Sequence, residues 1–228
     1  MSTRLFVLGT FDQPASALYD VDLMRCLIEA GVPPAGVIYK RSTPFENPDV
    51  PVAHGPDESG RLAIHVNDFN APAVVAQIRA LSADLLIYAG GRDLLRLPLL
   101  KSARLGCLGG HYGRLPDMRG MGTPEWSVLL AVPPTVAIQR MTPGVDVGDV
   151  VMQARVPLLV ADNFASIRER SYYLTKTMLA LAARRVLRDG ITGVPQAPGM
   201  GRQYYRLHPA VHQRAERLLA RVLGRTSS

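Results

Sequence analysis

The 228-residue chain is poor in cysteine and lysine and has no long apolar run. Its two cysteines, Cys26 and Cys107, fall in a predicted helix and at a predicted strand, with no CxxC pair and no His/Cys cluster. Neither a disulfide framework nor a zinc site is indicated, and a reducing cytoplasm suits that usage. No stretch of 18 or more apolar residues offers a membrane-spanning helix, and "MSTRLFVLGT" is too short an apolar start for a signal peptide. No G-x-G-x-x-G follows the first predicted strand, which argues against a nicotinamide dinucleotide. Lysine occurs only at 40, 101 and 176, so arginine supplies the rest of the 26 basic residues behind the net charge of +7. Dispersed arginine with no interleaved aromatic motif reads as a solvated surface, so nucleic acid is not the expected partner. An anionic small substrate remains compatible.

What is present suits one large α/β domain, with 47% hydrophobic and 20% charged residues. "RLFVLGT" (4–10) reads as a buried first strand. Apolar residues then recur at helical spacing from about Ala15 to Ala30, where Gly31 and Pro33-Pro34 stop the helix. "AGVIYK" (35–40) is a second strand. Residues 41–61 hold four prolines and two glycines and are expected to be a long loop. A strand at 62–66, a helix over 71–81 and a strand at "ADLLIYAGG" (83–91) follow. This β-α-β order predicts a Rossmann-like, doubly wound, mostly parallel sheet with right-handed crossovers. Beyond it the patterns predict a short helix near 97–102, a strand at "GCLGG" and a helix over 123–131. Strands at 135–141 and 150–158 come next, then a long helix over 163–189 stopped at Gly190. A last helix, Pro209 to Leu223, packs back on the domain or serves a homodimer contact.

Ligands of open α/β sheets bind beyond the carboxyl ends of strands. Three glycine-bearing turns leave such ends: Gly9-Thr10, Gly90-Gly91-Arg92 and Gly109-Gly110-His111. His111 stands apart from the other histidines because flanking glycines let a ligand approach the backbone closely. Asp146, in the turn of "TPGVDVGDVV", is its expected partner, since a carboxylate beside an imidazole fixes its tautomer and supports acid–base chemistry. A turn aspartate also commonly bonds its own backbone, and spacing alone leaves both roles open. Asp149, next to the following strand, is read as capping or facing solvent.

The series "DLLIYAGGRDLL…GCLGGHYGRLPDMRG…PEWSVLL…TVAIQRMTPGVDVGDVVMQ" resembles the folate-dependent formyltransferases, a family that includes glycinamide ribonucleotide, methionyl-tRNA and amino-sugar enzymes. The similarity runs from about Leu5 to Val160 and is strongest over 84–153. It implies 10-formyltetrahydrofolate as co-substrate. The pterin would lie between the loop at Gly90, Gly91, Arg92, Asp93 and Leu94 and the loop at Met141, Thr142, Gly144 and Val145. The family's catalytic trio is asparagine, histidine and aspartate; the last two map to His111 and Asp146. Gly109 stands where the asparagine should be, and Gly113 where a serine is common. Losing one oxyanion donor typically costs about 10²–10³ in rate. Gln139, Arg114 and Tyr112 are candidate replacements beside Gly109 and Gly110 on the substrate side, and the two missing side chains are expected to enlarge the pocket.

The resemblance thus implies formyl transfer to an amine of a small metabolite or amino sugar, on a unit at 1–190 with a short C-terminal extension at 191–228. That tail is too short for the further domain of the methionyl-tRNA enzymes, and its "GRQYYRLHP" is expected either to close over the site or to pack on the surface. Two other readings stay open. One is a divergent enzyme with hydrolytic or cyclising chemistry, the other a silent folate- or metabolite-binding protein.

Overall fold

Leu5 and Val7 of the first strand, β1 (Leu5–Gly9), pack into one hydrophobic cluster, while Phe6 and Leu8 pack into a second. Successive strand residues point to opposite faces, so a strand buried at every position has a layer on each side. This is a doubly wound α/β fold. The computed structural model describes residues 3–9, 14–40, 52–56, 61–91 and 93–225.

α1 (Pro14–Glu29) is followed by Gly31, whose φ of 73° is left-handed, a conformation glycine adopts without a Cβ penalty. β2 (Gly36–Lys40), β3 (Val52–Pro56), β4 (Leu62–Val66), α2 (Pro72–Ala80), β5 (Leu85–Tyr88) and α3 (Leu97–Leu100) complete the first half. β6 (Cys107–His111), β7 (Met118–Gly120), α4 (Thr123–Leu129), β8 (Thr135–Arg140) and β9 (Val150–Arg155) lead to α5 (Phe164–Asp189), β10 (Arg202–Tyr204) and α6 (Pro209–Val222). The main sheet has eight strands in the order β3-β4-β2-β1-β5-β6-β8-β9. β4, β2, β1, β5 and β6 run parallel, and β3, β8 and β9 are antiparallel to their neighbours. α2 and α3 cover one face; α1, α4, α5 and α6 supply the other cluster.

The expected loop at 41–61 contains a strand. β3 pairs with the edge of β4, a place where proline is tolerated because one side of the strand needs no partner. Residues 41–51 and 57–60 lie outside the described residues. β7 and β10 form a separate two-stranded parallel ribbon that no alternation pattern announced. α5 starts with a capping box between Asn163 and Ser166 and ends at left-handed Gly190. Among the described residues no helix is long and apolar enough to cross a membrane.

At the entry to α5, Arg170 forks onto Asp162, with Nη1 2.8 Å from Oδ2 and Nη2 2.7 Å from Oδ1. The guanidinium holds the Asp162 carboxyl far below the usual carboxylate range, helped by donation from Leu159 N and Ser166 Oγ. A carboxyl whose folded pKa is depressed stabilises the fold above its unfolded value of about 4 and loses that contribution as pH falls through the folded value. Asp162→Asn is therefore expected to cost about 2–3 kcal/mol at pH 7. Urea titrations at pH 7 and pH 3 check this, the gap to the unmodified protein narrowing at the lower pH.

Candidate active site

β6 carries His111 at its carboxyl end, and the ring is 6% exposed. Nδ1 lies 3.2 Å from Asp146 Oδ2, and Nε2 lies 2.7 Å from the Met118 carbonyl oxygen. A carbonyl only accepts, so Nε2 carries the hydrogen of that bond. Nδ1 then either carries a second hydrogen, giving an imidazolium that Asp146 balances, or turns its lone pair to the carboxyl group.

Asp146 reaches the histidine because the turn after β8 folds back over the β6–β8 face: Arg140 N donates to Asp149 O, and Gly148 N to Gln139 Oε1. The aspartate itself has φ 54°, in the left-handed region, which costs a non-glycine residue about 1–2 kcal/mol. Its surroundings hold it there. Oδ1 accepts from Gln139 Nε2 at 2.8 Å, Oδ2 from Gly120 N at 2.8 Å, and its backbone oxygen from Gln196 Nε2 at 3.0 Å. Sequence reasoning missed Gln196, since a lone glutamine in a Pro/Gly-rich tail carries no spacing signal.

The glycines around the histidine have separate reasons. A Cβ at Gly113 would stand 2.5 Å from His111 Nε2 and 2.5 Å from Met118 O, so the ring's bond to that carbonyl requires a bare residue there. A Cβ at Gly110 would stand 2.3 Å from Thr175 Cγ2, because α5 approaches the strand closely. At Gly109 the expected enlargement is absent. A Cβ there would meet Met141 Sδ at 2.7 Å and Cγ at 3.0 Å, so the methionine covers the space an asparagine would need.

Of the candidate replacements, Gln139 is brought to the site: it is buried, sits opposite Gly109 in the β6–β8 register and holds Asp146. Tyr112 lines the cavity beside His111, while its carbonyl takes the Thr123 hydroxyl. Arg114 is not brought there. It pairs with Asp117 at 2.6 Å and lines a separate depression with Thr135 and Gln153.

At the first loop expected to hold the pterin, Gly90 has φ 117° and open space where a side chain would be, and Gly91 has φ 151° beneath the Tyr88 hydroxyl. Asp93 is tied to Lys40 and, through its backbone, to Tyr88. Asn70 pins the next residues by donating to Leu94 O and accepting from Arg96 N. Burial pushes the Tyr88 phenol well above its ordinary range and the Cys107 thiol up to about 12, so neither is an acid–base group near neutrality. Leu94 and Val145 are 75% and 38% exposed, and Thr142 and Gly144 are exposed beside Met141. Arg92 lies outside the described residues.

Next to His111 is a cavity of about 620 Å³, within the range of small-molecule sites. It is lined by Gly91, Gly110, Tyr112 and the 120–125 segment, by Arg168 of α5, by Arg206 and Leu207 just before α6, and by His212 within it. The tail reaches it through the β7–β10 ribbon. Met121 N donates to Tyr204 O, and Trp126 Nε1 to Tyr205 O. Gly120 permits this approach: its φ is 93°, and a Cβ would stand 2.2 Å from Tyr204 O. Within the wall, Glu125 is 3% exposed and pairs with Arg168 through Oε1. Among the described residues no cluster of three or more His, Cys, Asp or Glu could hold a metal ion.

Residues 42–182, more than half of the chain, match the formyl transferase family profile. The chain belongs to the formyl transferase family. Among curated formyltransferases, the methionyl-tRNA formyltransferase of Halorhodospira halophila is 27% identical over 207 residues, covering 86% of this chain and 63% of that protein. The chain thus spans less than two thirds of that relative's length. Glycinamide ribonucleotide transformylase 1 from Symbiobacterium toebii superposes with a TM-score of 0.63 at 22% identity, over 82% of this chain and 88% of that one. The formyltransferase PseJ from Anoxybacillus kamchatkensis was solved with UDP-4,6-dideoxy-4-formamido-L-AltNAc and tetrahydrofolate. It superposes with a TM-score of 0.55 at 19% identity, over 88% of this chain and 85% of that one. At such identities the structures show a shared formyltransferase fold.

Proposed function

We propose that this chain transfers a formyl group from 10-formyltetrahydrofolate to the amine of a small acceptor, with His111 and Asp146 handling protons. The observation that carries the reading is the His111–Asp146 pair at 3.2 Å beside a 620 Å³ cavity. Binding of tetrahydrofolate by the related PseJ supports it. Residues 1–190 are the catalytic unit in this reading, and 191–228 complete the acceptor wall.

The local features fit a flat, partly apolar co-substrate. Gly90 leaves room for a close approach, and Leu94 and Val145 expose apolar surface on the two loops that the family uses for the pterin. Arg92, Asp93, Met141, Thr142 and Gly144 belong to the same loops. In the reaction the amine nitrogen attacks the formyl carbon and the bond to N10 of the co-substrate breaks. One proton leaves the amine and one reaches N10, so the balance closes through an acid–base group. The His111–Asp146 pair is the acid–base group in place, and the proton passes at its Nδ1–Oδ2 side because Nε2 is held by the Met118 carbonyl. Gln139 has a second Nε2 hydrogen beyond the one given to Asp146 and is the amide nearest in register to the missing asparagine.

Calorimetric titration with a stable 10-formyltetrahydrofolate analogue, followed by amine-dependent release of tetrahydrofolate, tests the proposal. Micromolar binding and turnover are expected. Met141 over Gly109 favours a second reading, a folate-binding protein without transfer, which predicts the binding and no turnover with any amine. Absence of binding sinks both.

A further inference from the structure

The chain after α5 does not leave the domain directly. It runs across the turn between β8 and β9 and is anchored there several times. Val194 and Val150 exchange both backbone bonds at 2.9 Å, and Arg140 donates to the carbonyls of Ile191 and Thr192. Gly193, with φ 96°, passes against this turn, where a Cβ would stand 3.1 Å from that of Asp149.

This anchoring delivers Gln196 to the turn that carries Asp146. Its Nε2 donates one hydrogen to Asp146 O at 3.0 Å and the other to Gly148 O at 2.6 Å. The orientation of the amide follows, since an amide turned over would set its oxygen against two carbonyl oxygens. As it stands, Oε1 is buried with no hydrogen-bond partner among the described residues. An open buried acceptor is a cost that an apolar side chain would avoid, so the gain from a glutamine here lies in the two donated bonds.

Asp146 needs such a hold. Its φ of 54° is unfavourable for a residue with a Cβ, and Gly120 N and Gln139 Nε2 grip only its carboxylate. Gln196 grips the backbone on which that carboxylate is mounted. It is absent from the walls of the cavity beside His111.

Resting on the proposed transfer reading, we infer that Gln196 is a positioning residue. Its amide sets the backbone of the Asp146 turn and thereby the contact of Asp146 Oδ2 with His111 Nδ1. The segment 191–196 then belongs to the catalytic machinery.

Gln196→Met keeps length and bulk and removes both donors. Losing two ordinary hydrogen bonds shifts a conformational equilibrium by roughly 10- to 30-fold. kcat is therefore expected to fall about tenfold, with KM for the folate co-substrate within about threefold of the unmodified chain. The loss stays below that of Asp146→Asn because the carboxylate charge remains. The imidazole nitrogen NMR signals of His111, recorded without substrate, should move toward those of the Asp146→Asn variant. A role in folding alone would lower the melting temperature and leave the folded protein's imidazole signals and kcat unchanged. Gln196→Asn, one methylene too short to reach both carbonyls, makes the same test should the methionine variant fail to fold. Unmoved His111 signals in a folded variant overturn the inference, as does an unchanged kcat. If the unmodified chain turns over no amine, the transfer reading has failed, and the imidazole signals still decide whether Gln196 sets the pair.

Discussion

Asp146→Asn is expected to lower formyl transfer by about 10³-fold while leaving affinity for the folate analogue within threefold. General acid–base groups contribute about 10²–10⁴ in rate, and this carboxylate is the counter-charge of the site's imidazole. The substitution keeps the backbone: asparagine tolerates the left-handed φ of 54° at this position and can still accept from Gly120 N through its side-chain oxygen. Its amide nitrogen then faces Gln139 Nε2, so the bond at Oδ1 is lost at a cost of about 1 kcal/mol, and thermal melting confirms the fold. What it removes is the charge facing His111 Nδ1. With the Met118 carbonyl fixing a hydrogen on Nε2, a ring that gains a proton at Nδ1 needs that charge. His111→Ala should fall at least as far, and the double variant no further than the worse single one, because residues acting as one unit are not additive. Single-turnover rates at saturating folate measure this. If Asp146→Asn retains more than a tenth of the rate, the pair is structural.

The element order was readable because buried parallel strands and amphipathic helices have different periods, and glycine and proline mark their ends. His111 and Asp146 were readable through the motifs around them, although only the structure shows the two rows of atoms meeting. Other features left no local trace. β7 and β10 are three residues each, too short for alternation, and pair across 84 residues of chain. Glu125 carries no local signal beyond an acidic residue in the first turn of a helix. Its role in the wall depends on Arg168 and His212, which come from α5 and α6. Arg114 is three residues from the histidine in sequence, yet it turns away and pairs with Asp117. A tether of Gln153 to both backbone groups of Leu115 holds the next residue.

Gly109→Asn alone is expected to lower transfer or stability, and Gly109→Asn with Met141→Ala to raise transfer by about 10²-fold. The family pattern suggests that restoring the amide should help directly, but Met141 occupies the space. A Cβ at 109 would lie 2.7 Å from its Sδ and 3.0 Å from its Cγ, contacts that an inserted side chain cannot keep. Met141 also lies 3.9 Å from Cys107 Sγ, so pushing it away disturbs the strand's buried partner. Overpacking of this kind costs about 1–3 kcal/mol. Shortening Met141 to alanine opens the volume on the strand face that also presents Gln139, whose amide already holds Asp146. A restored oxyanion donor is worth about 10²–10³ when correctly placed, and the lower figure allows for imperfect placement. Met141→Ala by itself separates the effects: it should weaken folate binding slightly and leave the rate no higher. If the double variant gains nothing while folding normally, Gln139 or a bound substrate group already fills the asparagine's role. Gln139→Leu in the unmodified chain must then lower the rate by at least tenfold if that glutamine is the donor. Since it also holds Asp146, the loss counts for the donor role only if it persists in an Asp146→Asn background.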